Sequence, residues 1–88
     1  MRVQATKTMA RAINDFFRTS DKFKKYTATA EKRVDLWGDE KSFITIFYPA
    51  EFYAFPRDLY DGDLLRIFRH SDGSLAGFMD ALADEIEI

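Results

Sequence analysis

Residues Ser42 to Tyr48 read S-F-I-T-I-F-Y, and every residue after the serine is β-branched or aromatic. Such side chains suit a pleated surface and crowd a helix. The run lacks the alternation of a half-exposed strand. It therefore predicts a central strand covered on both faces, or one that meets a partner. Pro49 ends the ladder, because proline has no N–H to donate. A chain built around such a strand must supply neighbours to pair with it and apolar surfaces to cover it.

The first neighbour lies upstream. From Tyr26 to Trp37, Thr27, Thr29, Glu31 and Arg33 alternate with Tyr26, Ala28, Ala30 and Lys32. Trp37-Gly38-Asp39-Glu40 then supplies a turn in which Gly38 is free to take positive φ. An antiparallel hairpin is expected. Downstream, Leu64 to Arg69 (L-L-R-I-F-R) reads as another strand, with Leu64, Arg66 and Phe68 on one side. Asp72-Gly73 reads as a turn. Between these strands, Pro56 and Asp61-Gly62-Asp63 break up residues 50–63, and Phe52–Phe55 reads as a short strand or one helical turn.

Two amphipathic helices supply the cover. Thr8–Thr19 places Met9, Ile13, Phe16 and Phe17 on one face and Arg11, Asn14, Asp15 and Arg18 on the other, with Thr8 or Thr6 as the cap. A short strand over Arg2–Thr6 is an optional addition. The last helix follows Ser74, with Leu75, Phe78, Met79, Leu82 and Ile86 at helical spacing. Gly77 inside it is read as a site of close packing on the sheet. Asp80, Asp84, Glu85 and Glu87 are expected to make its outer surface acidic. The fold class that follows is α+β, one domain over residues 1–88. It has a three- or four-stranded antiparallel sheet and two amphipathic helices on one face, in the order (β)αββ(β)βα.

Composition narrows the chemistry. Cysteine is absent from the 88 residues, which removes disulfides, thiolate nucleophiles and thiolate metal sites, and fits a cytoplasmic location. No apolar run has the length of a membrane span. The N-terminal residues lack the apolar core of a secretory signal, and the initial Met suggests a whole reading frame. One histidine is present, His70, beside Ser71 and Asp72; three neighbours in sequence do not make a catalytic triad, whose geometry is assembled across a fold. Asp58, Asp61, Asp63 and Asp72 carry oxygen ligands for a hard cation, but their spacing fits no calcium loop. The four glycines are isolated, so no phosphate-cradling loop is present. The expectation is a protein that is not an enzyme and needs no metal or cofactor.

Two features remain. The net charge of −2 hides an asymmetry. Residues 1–33 hold nine Lys or Arg against three acids, whereas residues 34–88 hold four against twelve. The halves can neutralise each other within the fold or serve charged partners. Secondly, seven of the 18 residues from Phe43 to Tyr60 are aromatic, more than a small core readily hides. Exposed aromatics beside acids resemble a protein interface. The leading expectation is a protein-interaction module that contacts another protein through Tyr48, Phe52, Tyr53, Tyr60, Asp80, Asp84 and Glu85. One version is a small acidic inhibitor, of the kind phages and mobile elements encode, that mimics nucleic acid before a basic partner. The alternatives are a homodimer, joined by its opposite charges or by a Phe43–Tyr48 strand edge, and a nucleic-acid binder using Lys22, Lys24, Lys25 and Arg33.

Overall fold

The computed structural model describes residues 2–88, in the order α1 (Lys7–Thr19), β1 (Thr27–Val34), β2 (Glu40–Phe47), β3 (Arg57–Tyr60), α2 (Asp61–Arg69) and α3 (Leu75–Ile86). A single 3₁₀ turn, Ala50–Phe52, lies between β2 and β3. The fold is α+β, with three helices and one antiparallel sheet ordered β1-β2-β3. Among the described residues no helix is long and apolar enough to cross a membrane.

β2 is central because both of its neighbours come from short connections. Asp35–Asp39 joins it to β1, with Thr27 opposite Phe47 and Val34 opposite Glu40. Asp35 Oδ1 accepts the N–H groups of Trp37 and Asp39, each at 2.9 Å, and Gly38 takes φ +82°. An aspartate that bonds the backbone just ahead of it, followed by a left-handed glycine, makes a tight reversal. β3 pairs with the second half of β2, Phe43 opposite Tyr60 and Ile46 opposite Arg57. The tip of the β1–β2 hairpin thus projects beyond β3.

Alternation divides the sheet's side chains. Ala28, Ala30, Ile44, Ile46 and Leu59 join an apolar cluster with Met9, Ile13 and Phe17 of α1, Leu64 and Ile67 of α2, and Phe78, Met79, Leu82 and Ile86 of α3. The opposite set is Thr27, Thr29, Glu31 and Arg33 with Phe43, Thr45 and Phe47 and with Asp58 and Tyr60. Thr6 is the cap of α1, its hydroxyl accepting the Met9 N–H at 3.1 Å; Ser74 does the same for α3 through the Gly77 N–H at 3.0 Å.

Five expectations are corrected. Leu64–Arg69 lies in a helix, not a strand. Its acids Asp61 and Asp63 stand in the first turn and Arg66 and Arg69 in the last, matching the helix dipole. Asp63 also accepts the Tyr60 N–H at 2.9 Å. As a helix the segment buries Leu64 and Ile67 together; as a strand it would have put a charge on each face. Residues Arg2–Thr6 are not a strand. The Phe43–Tyr48 segment offers no free edge, because β2 is paired on both sides. Gly77 does not serve contact with the sheet: a Cβ there would stand 2.1 Å from Asp72 Oδ1, which is held by the Ser74 N–H and hydroxyl at the start of α3. The six-element order also differs from the expected one, with two successive helices closing the chain.

Candidate functional site

The aromatic residues between β2 and β3 separate into anchors and exposed rings. Tyr48 packs edge-on to Tyr26, centroids 5.2 Å apart, and Phe52 lies 6.4 Å from the same ring. Tyr26 is buried, and desolvation holds its phenol pKa above the usual value. These contacts fix the start of the segment. Beyond them Tyr53 takes a left-handed backbone, φ 50° and ψ 26°, and the chain turns outwards. Tyr53 is 95% exposed and Phe55 92%. A tyrosine in this region is an outlier that its surroundings must enforce, and such outliers concentrate at functional segments.

Phe55 and Pro56 border a groove on the sheet face that the apolar cluster does not occupy. About 570 Å³ in volume, the groove is lined by Arg33, Phe43, Thr45, Phe47, Phe55 and Asp58, among others. Phe43 is only 4% exposed yet stands outside the apolar cluster. Tyr60 packs on it at 5.2 Å and the Arg33 guanidinium lies 4.7 Å above its ring. Thr45 donates its hydroxyl to Asp58 at 2.9 Å, and Arg33 approaches Asp58 at 3.6 Å. The groove therefore offers an aromatic wall, a cation and a carboxylate, each held in place. A second exposed apolar group, Val34, Leu36 and Trp37, sits at the hairpin tip, where Trp37 is 82% exposed.

The expected contact residues are not one patch. Phe52 and Tyr53 are neighbours, Tyr48 serves as their anchor, and Tyr60 belongs to the opposite sheet face. Asp80 and Asp84 are exposed one turn apart on α3, with no ion pair among the described residues. Glu85 is turned inwards. Its carboxylate meets Arg57 and Arg66, each at 2.7 Å, and Arg57 also donates to the Glu85 carbonyl at 2.5 Å. The last turn of α3 has no basic residue, so Arg57 supplies its cation from β3. Glu87 pairs with Lys22. The carboxylates at the end of this helix thus have structural partners.

The Arg66 hydrogen bond, followed by the charges of Arg66 and Arg57, holds the Glu85 carboxyl below the usual carboxylate range. A carboxyl depressed by folding contributes stability above its unfolded pKa and loses it as pH falls through the folded value. Glu85→Gln is therefore expected to cost about 1–2 kcal/mol at neutral pH. The cost should shrink as pH falls below the normal glutamate range. Urea unfolding of both proteins along a pH series measures this; a pH-independent difference would contradict it.

The basic set is also dispersed. Lys22, Lys24 and Lys25 lie in the turn before β1, whereas Arg33 is eight residues beyond Lys25, about 25 Å along an extended strand. Lys25 pairs with Glu51 and Arg33 with Asp58, so the basic first third is partly neutralised by the acidic remainder. His70 is the exposed C-cap residue of α2, joined to it through its backbone N–H. Asp61 accepts the Ala5 N–H at 2.6 Å, and Asp58, Asp63 and Asp72 have the partners given above. Among the described residues no three His, Cys, Asp or Glu side chains converge as metal ligands.

Phe47, Phe55, Leu36 and Trp37 were not among the expected contact residues. A signal for the last two was present: two large apolar residues inside D-L-W-G-D, where a turn ordinarily carries polar ones. Compared with protein-family models, curated proteins and solved structures, the chain matches none.

Proposed function

We propose that the chain is a non-enzymatic protein-interaction module. Its contact surface is the segment Phe52–Pro56 together with the groove between Phe47, Phe55 and Arg33. The observation that carries this reading is the exposure of Tyr53 and Phe55 on a segment whose start is anchored by Tyr48 packed on Tyr26, with the half-exposed Phe52 beside the same ring. Large rings held outwards on a fixed backbone lose little entropy on binding and fill partner pockets. Arg33 and Asp58 at the groove add polar selectivity. Affinity capture from the native host's lysate, with and without nuclease, tests it. The expected result is a retained protein that nuclease does not release; retention of nucleic acid through Lys22, Lys24, Lys25 and Arg33 would contradict it.

A second reading, an acidic inhibitor that meets a basic partner as nucleic acid would, draws support from Asp80 and Asp84. Like charges one turn apart destabilise a helix by some tenths of a kcal/mol. Here neither has an ion pair among the described residues. Replacing both by arginine is expected to leave the fold intact and abolish capture of a basic partner; unchanged capture would end this reading. Glu85 has no place in that test, because reversing it would break the contacts to Arg57 and Arg66.

A further inference from the structure

The β1 edge of the sheet is closed at one residue by a side chain. The Asn14 amide donates to the Ala28 carbonyl and accepts from the Ala28 N–H, both at 2.8 Å, as a neighbouring strand would. Ala28 therefore turns its backbone groups away from β2. Alternation along an antiparallel strand gives Ala30, Lys32 and Val34 the same outward direction. Among the described residues, the outward groups of these three have no hydrogen-bond partner. An open cleft of about 600 Å³, lined by Ala5, Thr6, Lys7, Ala30, Lys32 and Ser42 among others, lies beside them. Unpaired strand edges are templates for another strand.

We infer that this edge pairs antiparallel with the same edge of a second copy, about a two-fold axis at Lys32. Two independent features select that register. The first is backbone completeness. With the axis at Lys32, Ala30 faces the partner's Val34 and Lys32 faces the partner's Lys32, so every outward residue exchanges its bonds. Moving the axis to Glu31 sets Val34 against the partner's Ala28, which Asn14 already occupies. Moving it to Arg33 leaves Ala30 facing a residue beyond the strand's end at Val34.

The second feature is charge. The axis at Lys32 sets Glu31 opposite the partner's Arg33, once on each side. The axis at Glu31 would oppose two glutamates, and the axis at Arg33 two arginines. Opposite charges across a strand pair are favourable and like charges are not. Glu31 is exposed and has no ion pair among the described residues. Arg33 has donors enough to serve its own Asp58 and the partner's Glu31. The facing lysines are the unfavourable element, and each has Glu40 of its own chain at 3.7 Å to offset it. Val34, 64% exposed in the single chain, is covered against the partner's Ala30. The result is a continuous six-stranded sheet. The edge borders the groove of the proposed contact surface and shares Arg33 with it, but Tyr53 and Phe55 take no part in the pairing, so Tyr53→Ala with Phe55→Ala should leave the dimer intact.

Sedimentation equilibrium from low micromolar to millimolar concentration tests the inference. The wild-type chain is expected to be a dimer. Glu31→Arg and Arg33→Glu should each weaken self-association at least tenfold, because each opposes like charges. An equal mixture of the two should recover a dimer, since every facing pair is then of opposite sign. Lys32→Pro removes an outward N–H that β2 does not use; it should give a monomer with an unchanged circular dichroism spectrum. A wild-type monomer at every concentration would overturn the inference. So would a dimer that Lys32→Pro leaves intact, or a mixture that fails to associate.

Discussion

Phe17→Ala is expected to remove most of the chain's stability and to lower its urea midpoint sharply. Phe17 is fully buried, and its ring stacks on Phe23 at 6.0 Å and meets Tyr26 at 5.7 Å. It thereby ties α1 to the turn before β1 and to the start of the hairpin. Truncating a buried phenylalanine costs about 3–5 kcal/mol, through lost burial and the cavity left behind. A small domain has about 5–15 kcal/mol in total, and short chains sit at the low end because they bury less of their surface. Phe16, only half-buried and adjacent in sequence, is the control, and Phe16→Ala should cost clearly less. Urea unfolding measures both. A Phe17→Ala midpoint within error of the wild type would show that the aromatic cluster is not central to stability.

Tyr53→Ala with Phe55→Ala is expected to do the reverse, leaving stability intact and removing function. Both side chains are almost wholly in solvent, so truncation removes little buried surface from the folded chain. Substitutions of this kind lie within about 0.5 kcal/mol of neutral. An aromatic anchor at the centre of a protein interface is worth about 2 kcal/mol or more. Each ring lost should then weaken partner binding about thirtyfold. A thermal midpoint lowered by several degrees would instead mark the segment as part of the folded core.

How far the sequence discloses this fold depends on segment length. α1 and α3 are legible because each spans at least three turns, enough for Met9, Ile13 and Phe17, or Phe78, Leu82 and Ile86, to show a helical period. The β1–β2 hairpin is legible from the threonine alternation and Gly38. α2 misleads because L-L-R-I-F-R, over six residues, fits both an alternating strand and a helix; its acid-first, base-last charge order is the signal that separates them. β3 escapes because it has four residues, of which only Leu59 is buried. The site is legible in kind and not in place. An aromatic surplus is visible in composition, but only the fold sorts Tyr48 and Tyr60, which pack, from Tyr53 and Phe55, which do not. The charge asymmetry likewise leaves open, in the sequence, whether the halves neutralise each other or serve a partner; the fold places Lys22, Lys25, Lys32 and Arg33 beside Glu87, Glu51, Glu40 and Asp58.

Glu85 shows the same limit from the other side. A glutamate in the last turn of a helix opposes the dipole, which suggests that the charge has a use elsewhere. The use lies within the fold, where Glu85 joins α3 to β3 through Arg57 and to α2 through Arg66.

The most direct test of the central claim is capture from nuclease-treated lysate of the native host, with wild type and the Tyr53→Ala, Phe55→Ala double variant immobilised at equal density. Both proteins are first matched by thermal unfolding. The wild type should retain a specific protein that the double variant loses. Equal retention by the two, with equal thermal midpoints, would show that these exposed rings are not a contact surface.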